Sequence, residues 1–514
     1  MKKMYMVRIG CVSVKEFKSV LYDIIENSAK NYPNNIALCD NANELTYSQL
    51  RNNILYCANR LSQLGVVEGD KVLLVAPNCN EFVISFFAVN YIGAVLVLGD
   101  PKWNDELAVI FSENKIKVII TKEKTLPKLQ AQWKKHHENK IFANEVLSIL
   151  ISERQFFYNE CAYVGKLTEV VSIKAKKTEQ DIALILYTSG SLQRPKAVVN
   201  SNYNMINALK NALASVPMFQ TDRLVGVIPF YHSYPIGSCM LPGLASGAEI
   251  ILLDMFNPRK LLCIITEKKV TCIHGVPFIF EQMINYMKKT YDFDSVRLSI
   301  SGGAPLPLNV AKKYYERTGK IIHQEYGSSE TGTVFMNHSD SVEINALSPG
   351  KPMKYVEARI YKPDKNGIGH IQVRTKGKAI GYLEQEPFSV GWYDMGDLGK
   401  WDTNGNLVIC GRVKRIINVS GLKVSPEEIE NVLINHPLIE DCIIQSETHD
   451  NWGEIVVAYI VRKDEKLTKE KLSLWCSGKM AMYKIPKKIY WVDKVGTKSI
   501  GKKNMSVDNL QIKE

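Results

Sequence analysis

The feature that most constrains this chain is a recurring alternation of short apolar runs with longer segments of helical periodicity. Runs such as KVLLVAP, from Lys71, and DIALILYTSG, from Asp181, end in Gly, Pro or small polar residues, as parallel strands do where they enter loops. This alternation predicts an α/β fold with largely parallel sheets. Ligands of such sheets bind beyond the carboxyl ends of the strands, so the loops there are the first candidates for function.

The composition excludes several classes of protein. A chain of 514 residues is too long for one core and predicts two to four domains or subdomains. With 46% hydrophobic and 23% charged residues it is neither disordered nor fibrous. The net charge of +12 fits a basic surface, a nucleic-acid or membrane partner, or sites for anions such as ATP. No dense Lys/Arg run with interleaved aromatics occurs, so we expect no nucleic-acid partner.

The eleven cysteines are scattered and none forms a CxxC pair, which indicates reduced thiols in a cytoplasmic protein rather than disulfides or a zinc site. The N-terminal segment has basic residues but no continuous apolar core, so we expect no signal peptide. Residues 82–99 are about long enough to span a membrane. Asn90 and Gly93 interrupt them, and a buried helix followed by a parallel strand fits the pattern better. We therefore expect no integral membrane segment.

The pattern changes after about residue 350, where short strands and hairpins replace the alternation. In KVSPEEIENVLINH, Ser425 is suited to cap a helix, Pro426 to its first turn, and the following acidic residues to its positive end. A domain boundary is predicted near residues 411–415.

The segment YTSGSLQRPKAVV, from Tyr187, has the character of a phosphate-binding loop. Its spacing differs from that of the common P-loop. The physical logic is related, because small residues let backbone N–H groups approach phosphate oxygens, hydroxyls add donors, and Lys196 supplies positive charge. A serine-rich turn after a strand is the alternative interpretation.

Other motifs follow in a fixed order along almost the whole chain. They are LTYSQL (Leu45), GAVLVLGDP (Gly93), PFYHSYPIG (Pro229), SGGAPL (Ser301), YGSSETG (Tyr326), GWYDMGDLG (Gly391), GRVKRIINVSGLKVSPEEIE (Gly411), YKIPK (Tyr483) and SIGKK (Ser499). This series resembles the adenylate-forming superfamily of acyl-CoA and aryl-CoA synthetases, peptide-synthetase adenylation domains and luciferases. The resemblance extends from about residue 20 to residue 505.

The resemblance implies a large N-terminal domain (1–411) of layered, mostly parallel sheets with a distorted β-barrel-like part. A hinge (412–415) and a small mobile α+β domain (416–514) follow. It also implies that a carboxylate attacks the α-phosphate of ATP, with Mg²⁺, to give an acyl-adenylate and pyrophosphate. A thiol, of CoA or of carrier-protein phosphopantetheine, then displaces AMP.

The resemblance assigns roles to individual residues of the large domain. Lys196 and the loop would hold the β- and γ-phosphates, Tyr326 would pack against adenine, and Glu330 would hold Mg²⁺, which prefers carboxylate and phosphate oxygens. Asp397 would bind the ribose hydroxyls, with a capping aspartate as the alternative. The full set of ATP-binding residues comprises Thr188, Ser189, Gly190, Ser191, Gly303, Ala304, Pro305, Tyr326, Gly327, Ser328, Ser329, Asp397 and Arg412.

Further roles fall on the small domain and the hinge. Lys502 resembles the catalytic lysine that stabilises charge developing in adenylation, with a solvated lysine as the alternative. Lys414 is the hinge position, and a few residues there can absorb a large rotation. That rotation would withdraw Lys502 and bring Ser420 and Gly421 to a pantetheine tunnel.

The acid pocket would include His232 and Gly302. Relatives that activate amino acids carry an Asp near the position of His232, so the histidine favours a plain acyl or aryl acid, such as a fatty acid. The alternative is a structural histidine whose hydrogen bonds are made within the core. No carrier module follows before Glu514, which makes CoA the simpler acceptor.

The loop itself departs from the family pattern. Leu192 replaces a hydroxyl residue and Gln193 replaces a glycine. One lost charge-assisted donor costs about 1.5–3 kcal/mol, which weakens the loop without abolishing it. Two function classes therefore stand, an ATP-dependent acid–thiol ligase and a non-catalytic acyl- or nucleotide-binding relative with an impaired loop.

Overall fold

The computed structural model describes residues 20–41, 43–136, 147–151, 156–158, 178–188, 195–288, 290–415, 417–419, 422–449, 453–477, 479–495 and 512–513. Its architecture is α/β, with two large mixed sheets followed by a small antiparallel sheet and a separate C-terminal unit. The predicted fold class is confirmed.

An eight-stranded sheet carries the candidate phosphate loop. Its strands are β3 (Lys71–Val75), β4 (Val95–Leu98), β5 (Ile116–Lys122), β6 (Leu147–Ile151), β7 (Phe156–Tyr158), β8 (Ile182–Thr188), β9 (Lys196–Ser201) and β19 (Gly381–Tyr382). The order is β19-β9-β8-β4-β3-β5-β6-β7. The strands from β8 to β6 are parallel, and the edges are antiparallel.

A nine-stranded sheet carries most of the other motifs. Its strands are β1 (Ile36–Cys39), β2 (Glu44–Thr46), β10 (Arg223–Gly226), β11 (Glu249–Leu252), β12 (Cys272–Gly275), β13 (Leu298–Ser301), β14 (Ile322–Ser328), β15 (Gly332–Met336) and β16 (Lys351–Pro352). The order is β16-β15-β14-β13-β12-β10-β11-β1-β2, and the six strands from β14 to β1 are parallel.

Helices cover and separate these two sheets. They are α1 (Tyr22–Asn31), α2 (Tyr47–Gln63), α3 (Asn80–Tyr91), α4 (Asp105–Glu113), α5 (Leu126–His136), α6 (Asn202–Ser215), α7 (Ser233–Pro235), α8 (Leu241–Ala245), α9 (Pro258–Glu267), α10 (Pro277–Tyr286), α11 (Leu308–Thr318) and α12 (Val342–Leu347). A π-helical turn, Ile236–Met240, joins α7 to α8.

After about residue 350 the chain forms mainly short antiparallel strands, as the sequence predicted. A four-stranded antiparallel sheet, in the order β17 (Glu357–Tyr361), β18 (Gly369–Arg374), β20 (Tyr393–Trp401) and β21 (Leu407–Arg412), follows the two large sheets. The C-terminal unit contains two α-helices and six strands among its described residues. The helices are α13 (Pro426–Ile434) and α14 (Lys469–Ser477), and the strands are β22 (Ile417–Val419), β23 (Leu422–Val424), β24 (Ile439–His449), β25 (Gly453–Arg462), β26 (Lys488–Val492) and β27 (Ile512–Lys513). The hydroxyl of Ser425 caps α13 by accepting from the Glu428 N–H at 3.4 Å, as predicted.

The apolar segment 82–99 lies in the core between the sheets. It forms most of α3 and then β4, with Gly93 in a left-handed conformation (φ +81°) at the turn between them. In the part of the chain that the structure describes, no helix is long and apolar enough to cross a bilayer.

Two buried asparagines join three helices behind this segment. Asn90 on α3 accepts from the Tyr22 N–H at 3.0 Å and donates to Asn202 on α6, also at 3.0 Å. Asn202 accepts from the Leu21 N–H at 3.1 Å as well. The first turn of α1 has N–H groups with no partner of its own, so the two amides cap that helix from outside. This accounts for the polar residue inside the apolar run.

We predict that Asn90→Leu destabilises the protein by about 1–3 kcal/mol, because it leaves buried donors and acceptors without partners. Urea unfolding measures the change, and Asn52→Leu, on an exposed position of α2, is the matched control. An Asn90 variant as stable as wild type would show that the amide pair does not hold the helices together.

Candidate active site

The hairpin of β8 and β9 brings the two ends of the candidate phosphate loop together. Thr188 and Lys196 are paired across the strands, and the Lys196 N–H donates to Thr188 Oγ1 at 3.4 Å. Because β8 runs parallel to β4, the loop begins at the carboxyl edge of the sheet. The predicted loop residues Ser189, Gly190 and Ser191, with the departures Leu192 and Gln193, lie outside the described residues.

Tyr382 connects Lys196 to Glu330. The Lys196 Nζ lies 4.5 Å from the centroid of the Tyr382 ring, and the Tyr382 hydroxyl donates to Glu330 Oε1 at 2.8 Å. Burial and the Glu330 carboxylate raise the pKa of Tyr382 to about 12, so the phenol keeps its proton and remains a donor. Sequence reasoning missed Tyr382, since the Gly-Tyr pair at 381–382 carries no local signal of this role.

The turn between β14 and β15 fixes Glu330 through its backbone. The Glu330 carbonyl accepts from the Ala379 N–H at 2.8 Å, and its own N–H donates to Ser328 Oγ at 3.3 Å. Ser329 Oγ lies 2.9 Å from Ser233 Oγ at the start of α7. A Cβ at Gly327 would lie 2.1 Å from the Gly332 carbonyl oxygen, so only glycine allows this tight hairpin.

Asp397 is a buried carboxylate held by two predicted site residues. The Tyr326 hydroxyl donates to its Oδ2 at 2.5 Å, and Arg412 Nε lies 3.2 Å from its Oδ1. Burial raises the pKa of Asp397, whereas Arg412 and Tyr326 oppose that rise. Three residues that the sequence assigned to one nucleotide site are therefore in contact.

The carboxyl end of β13 supplies the predicted SGGAPL residues. Gly302 donates its N–H to the Gly275 carbonyl at 3.1 Å, and Gly303 has a left-handed backbone (φ +76°). Ala304 and Pro305 continue the loop towards α11. If residue 302 carried a Cβ, that atom would lie 3.0 Å from the Tyr234 ring and 3.1 Å from Glu325 Oε1. Glu325 was not foreseen, because nothing in the sequence distinguishes it from an ordinary polar residue in a strand.

His232 lies immediately before α7 and packs on the Tyr231 ring, with 4.6 Å between ring centroids. Its backbone N–H donates to the Pro229 carbonyl at 3.2 Å. The same short helix carries Ser233, which reaches Ser329, so His232 lies at the Glu330 side of the nine-stranded sheet.

The predicted C-terminal site residues are only partly accounted for. Lys502, Ser420 and Gly421 lie outside the described residues. Lys414 lies in the 3₁₀ turn Val413–Arg415, and its side chain is not described. Next to it, Arg415 pairs with Glu427 at 2.5 Å and Glu430 at 3.0 Å, which ties the turn to α13.

The chain matches the family model of the AMP-binding enzyme over residues 25–383, and that of the AMP-binding enzyme C-terminal domain over residues 428–502. A long-chain-fatty-acid–CoA ligase of Bacillus subtilis is 27% identical and is covered over 92% of its length by 94% of this chain. The 4-coumarate–CoA ligase CCL1 of Humulus lupulus is 27% identical, with coverage of 89% of this chain and 87% of the relative.

Solved structures share the fold over nearly the whole chain. ATP-bound MatB from Rhodopseudomonas palustris has a TM-score of 0.84 and 23% identity, and the match covers 94% of this chain and 97% of MatB. The O-succinylbenzoate coenzyme A synthetase of Bacillus subtilis, in complex with AMP, has a TM-score of 0.81 and 22% identity, with 96% and 99% coverage.

We predict that Tyr382→Phe weakens MgATP binding by about tenfold or more, because a hydrogen bond to a charged group contributes about 1.5–3 kcal/mol. The variant keeps the ring beneath Lys196 and removes only the hydroxyl that holds Glu330. Titration calorimetry gives the affinity, and Tyr355→Phe at an exposed tyrosine is the control. Unchanged affinity would mean that Glu330 does not depend on this contact.

Proposed function

Because the chain belongs to the AMP-binding enzyme family and is an AMP-forming acyl-CoA synthetase, we propose that it activates a fatty or aryl carboxylic acid with ATP. The acid is converted to an acyl-adenylate with release of pyrophosphate, and CoA then displaces AMP to give the thioester. The observation that carries this proposal is that Tyr382 contacts both Lys196 and Glu330, while Tyr326, on the strand that leads to Glu330, donates to Asp397.

The nucleotide would be held by residues from three strands. In this proposal Lys196 and the loop before it neutralise the β- and γ-phosphates, Tyr326 packs against adenine, and Asp397 accepts from the ribose hydroxyls. Asp397 suits this role because it is buried and already oriented by Tyr326 and Arg412. A carboxylate oriented by two partners binds vicinal hydroxyls without further reorganisation.

Glu330 fits the requirement for a magnesium ligand. Tyr382 occupies Oε1, which leaves the second carboxylate oxygen for a cation that prefers carboxylate, phosphate and water oxygens. Magnesium would neutralise phosphate charge and so make the α-phosphate easier to attack. Ala379 and Ser328 hold Glu330 in place, because they form hydrogen bonds with its backbone carbonyl and its backbone N–H.

The second half-reaction would follow a rotation at Lys414. Lys502 would stabilise negative charge at the α-phosphate during adenylation and then withdraw. Ser420 and Gly421 would replace it and border the path of the pantetheine arm, where a residue without a side chain leaves room. Support for these assignments comes from the motifs and from the 3₁₀ turn at 413–415, which lies where the chain passes from β21 to β22.

Two alternatives remain, one for the thiol that accepts the acyl group and one for the effect of the altered phosphate loop. A separate carrier protein could offer its phosphopantetheine arm in place of CoA. The departures Leu192 and Gln193 favour an impaired, non-catalytic relative, although Lys196, Glu330, Asp397 and Arg412 are all retained. We favour the ligase, and the free thiols of all nine described cysteines fit the cytoplasmic location that we propose for it.

Hydroxylamine trapping tests the proposed function. We expect one class among short, medium, long-chain and aromatic acids to give a hydroxamate with ATP and Mg²⁺. Lys502→Ala should lower that rate by about 10²–10³-fold, the range for a lost transition-state donor. Lys503→Ala, one position along, is the matched control and should stay within about threefold of wild type.

Two further outcomes of this experiment separate the candidates. Replacement of hydroxylamine by CoA, or by a carrier protein bearing phosphopantetheine, identifies the acceptor from the thioester formed. Folded protein that binds ATP and turns over no acid would overturn the ligase and favour the impaired relative. Loss of activity in Lys503→Ala but not in Lys502→Ala would contradict the lysine assignment alone.

A further inference from the structure

A carboxyl group is buried beside the proposed acid pocket. Glu325 on β14 is only 6% exposed. A Cβ at Gly302 would lie 3.1 Å from Glu325 Oε1 and 3.0 Å from the Tyr234 ring. A side chain at Gly302 would crowd both groups, so the glycine lets a carboxyl and a phenol ring lie against this loop.

The hydrogen bonds of this carboxyl are incomplete. Glu325 Oε2 accepts from Ser238 Oγ at 3.2 Å, and Ser238 Oγ also lies 3.1 Å from Thr333 Oγ1. Among the described residues, Oε1 is buried and receives no hydrogen bond. The single hydroxyl proton of Tyr234 goes to the Gly275 carbonyl at 3.1 Å, so this phenol serves Oε1 only by turning away from that carbonyl.

A second buried polar group lies on the same sheet. His274 on β12 is 2% exposed, and neither ring nitrogen has a hydrogen-bond partner within the described part of the chain. Side chains alternate along a strand, so His274 and Cys272 lie on the same face of the sheet. Cys272 packs in one core cluster with Cys239 and Met240 of the π-helical turn. Ser238, the partner of Glu325, lies in the same turn. Strand β12 therefore also carries a buried polar group that no described residue serves.

Burial sets the charge of both groups. It raises the pKa of Glu325 to about 7 and lowers the pKa of His274 to about 4. The imidazole is neutral at pH 7, and the carboxyl changes between acid and carboxylate near that pH. A buried acceptor that receives no hydrogen bond destabilises the fold. A hydrocarbon placed against Oε1 leaves that destabilisation in place, whereas a ligand hydroxyl or amine removes it.

We propose that Glu325 is a specificity-determining residue, and that the acid taken by this protein carries a hydroxyl or amino substituent on its tail whose hydrogen Glu325 Oε1 accepts. This inference rests on the proposed function, because it takes Gly302 as part of the acid pocket. The donor belongs to the tail of the acid, so it is compatible with the plain acyl or aryl acid that His232 favours.

Paired acids that differ only in the donor test this inference. Suitable sets are cinnamate with 4-hydroxycinnamate and 4-methoxycinnamate, benzoate with the three aminobenzoates, and hexanoate with 6-hydroxyhexanoate. We expect kcat/KM for adenylate formation to be at least about tenfold higher for a donor-bearing member of one set. The methoxy acid, of similar size but without a donor, should resemble the unsubstituted acid.

Variants at Glu325 show whether this residue is responsible. In Glu325→Ala the ratio within the preferred set should fall to about one, mainly through loss of the donor-bearing acid. Glu325→Gln keeps an acceptor oxygen and should retain part of the preference. Glu316→Ala, at an exposed position of α11, should leave the ratio unchanged.

The outcomes distinguish this inference from the proposed function. Turnover in which wild type prefers no donor-bearing acid in any set overturns the inference alone, and it needs no variant to fold. A preference that survives in folded Glu325→Ala also overturns it. Absence of turnover with every acid overturns the proposed function and this inference together.

Discussion

The candidate site depends on the place where the two large sheets are joined. Glu330, on the hairpin of the nine-stranded sheet, accepts from the Ala379 backbone and from the Tyr382 hydroxyl, and Tyr382 belongs to the eight-stranded sheet. The same tyrosine lies beneath Lys196 at the end of the candidate phosphate loop. One aromatic side chain therefore contacts both the Lys196 ammonium and the Glu330 carboxylate, the groups that we propose for the phosphates and for magnesium. Without that junction, the two sheets would present these groups separately.

Buried carboxyl groups give the rest of the site its chemistry. Asp397 is kept in place by Tyr326 and Arg412 although burial disfavours its charge, and Glu325 is buried with one oxygen that no described residue serves. Burial of a charged or polar group destabilises a fold unless the group is paired. A group that stays incompletely paired is therefore a candidate for use by a ligand. In this proposal Asp397 serves the ribose, and Glu325 serves the tail of the acid.

Local sequence patterns predicted the features that local forces determine. The apolar runs became strands, residues 82–99 became a helix and a strand, and Ser425 became a helix cap. The resemblance assigned Tyr326, Asp397 and Arg412 to one nucleotide site, and Tyr326 and Arg412 both contact Asp397. Tyr382 and Glu325 were missed because their roles come from contacts across the chain, the first with a residue 52 positions away. The loop residues 189–193, Ser420, Gly421 and Lys502 lie outside the described residues, and their roles remain predictions.

Acid-dependent exchange of labelled pyrophosphate into ATP reports formation of the acyl-adenylate, because the exchange needs no thiol. With the preferred acid, ATP and Mg²⁺, we expect label in ATP in the absence of CoA, and none when the acid is omitted. Asp397→Asn should slow the exchange, since the buried carboxylate is proposed to hold the ribose. Acid-dependent formation of ADP and phosphate without exchange would exclude an acyl-adenylate, because the α-phosphate would then not be the site of attack.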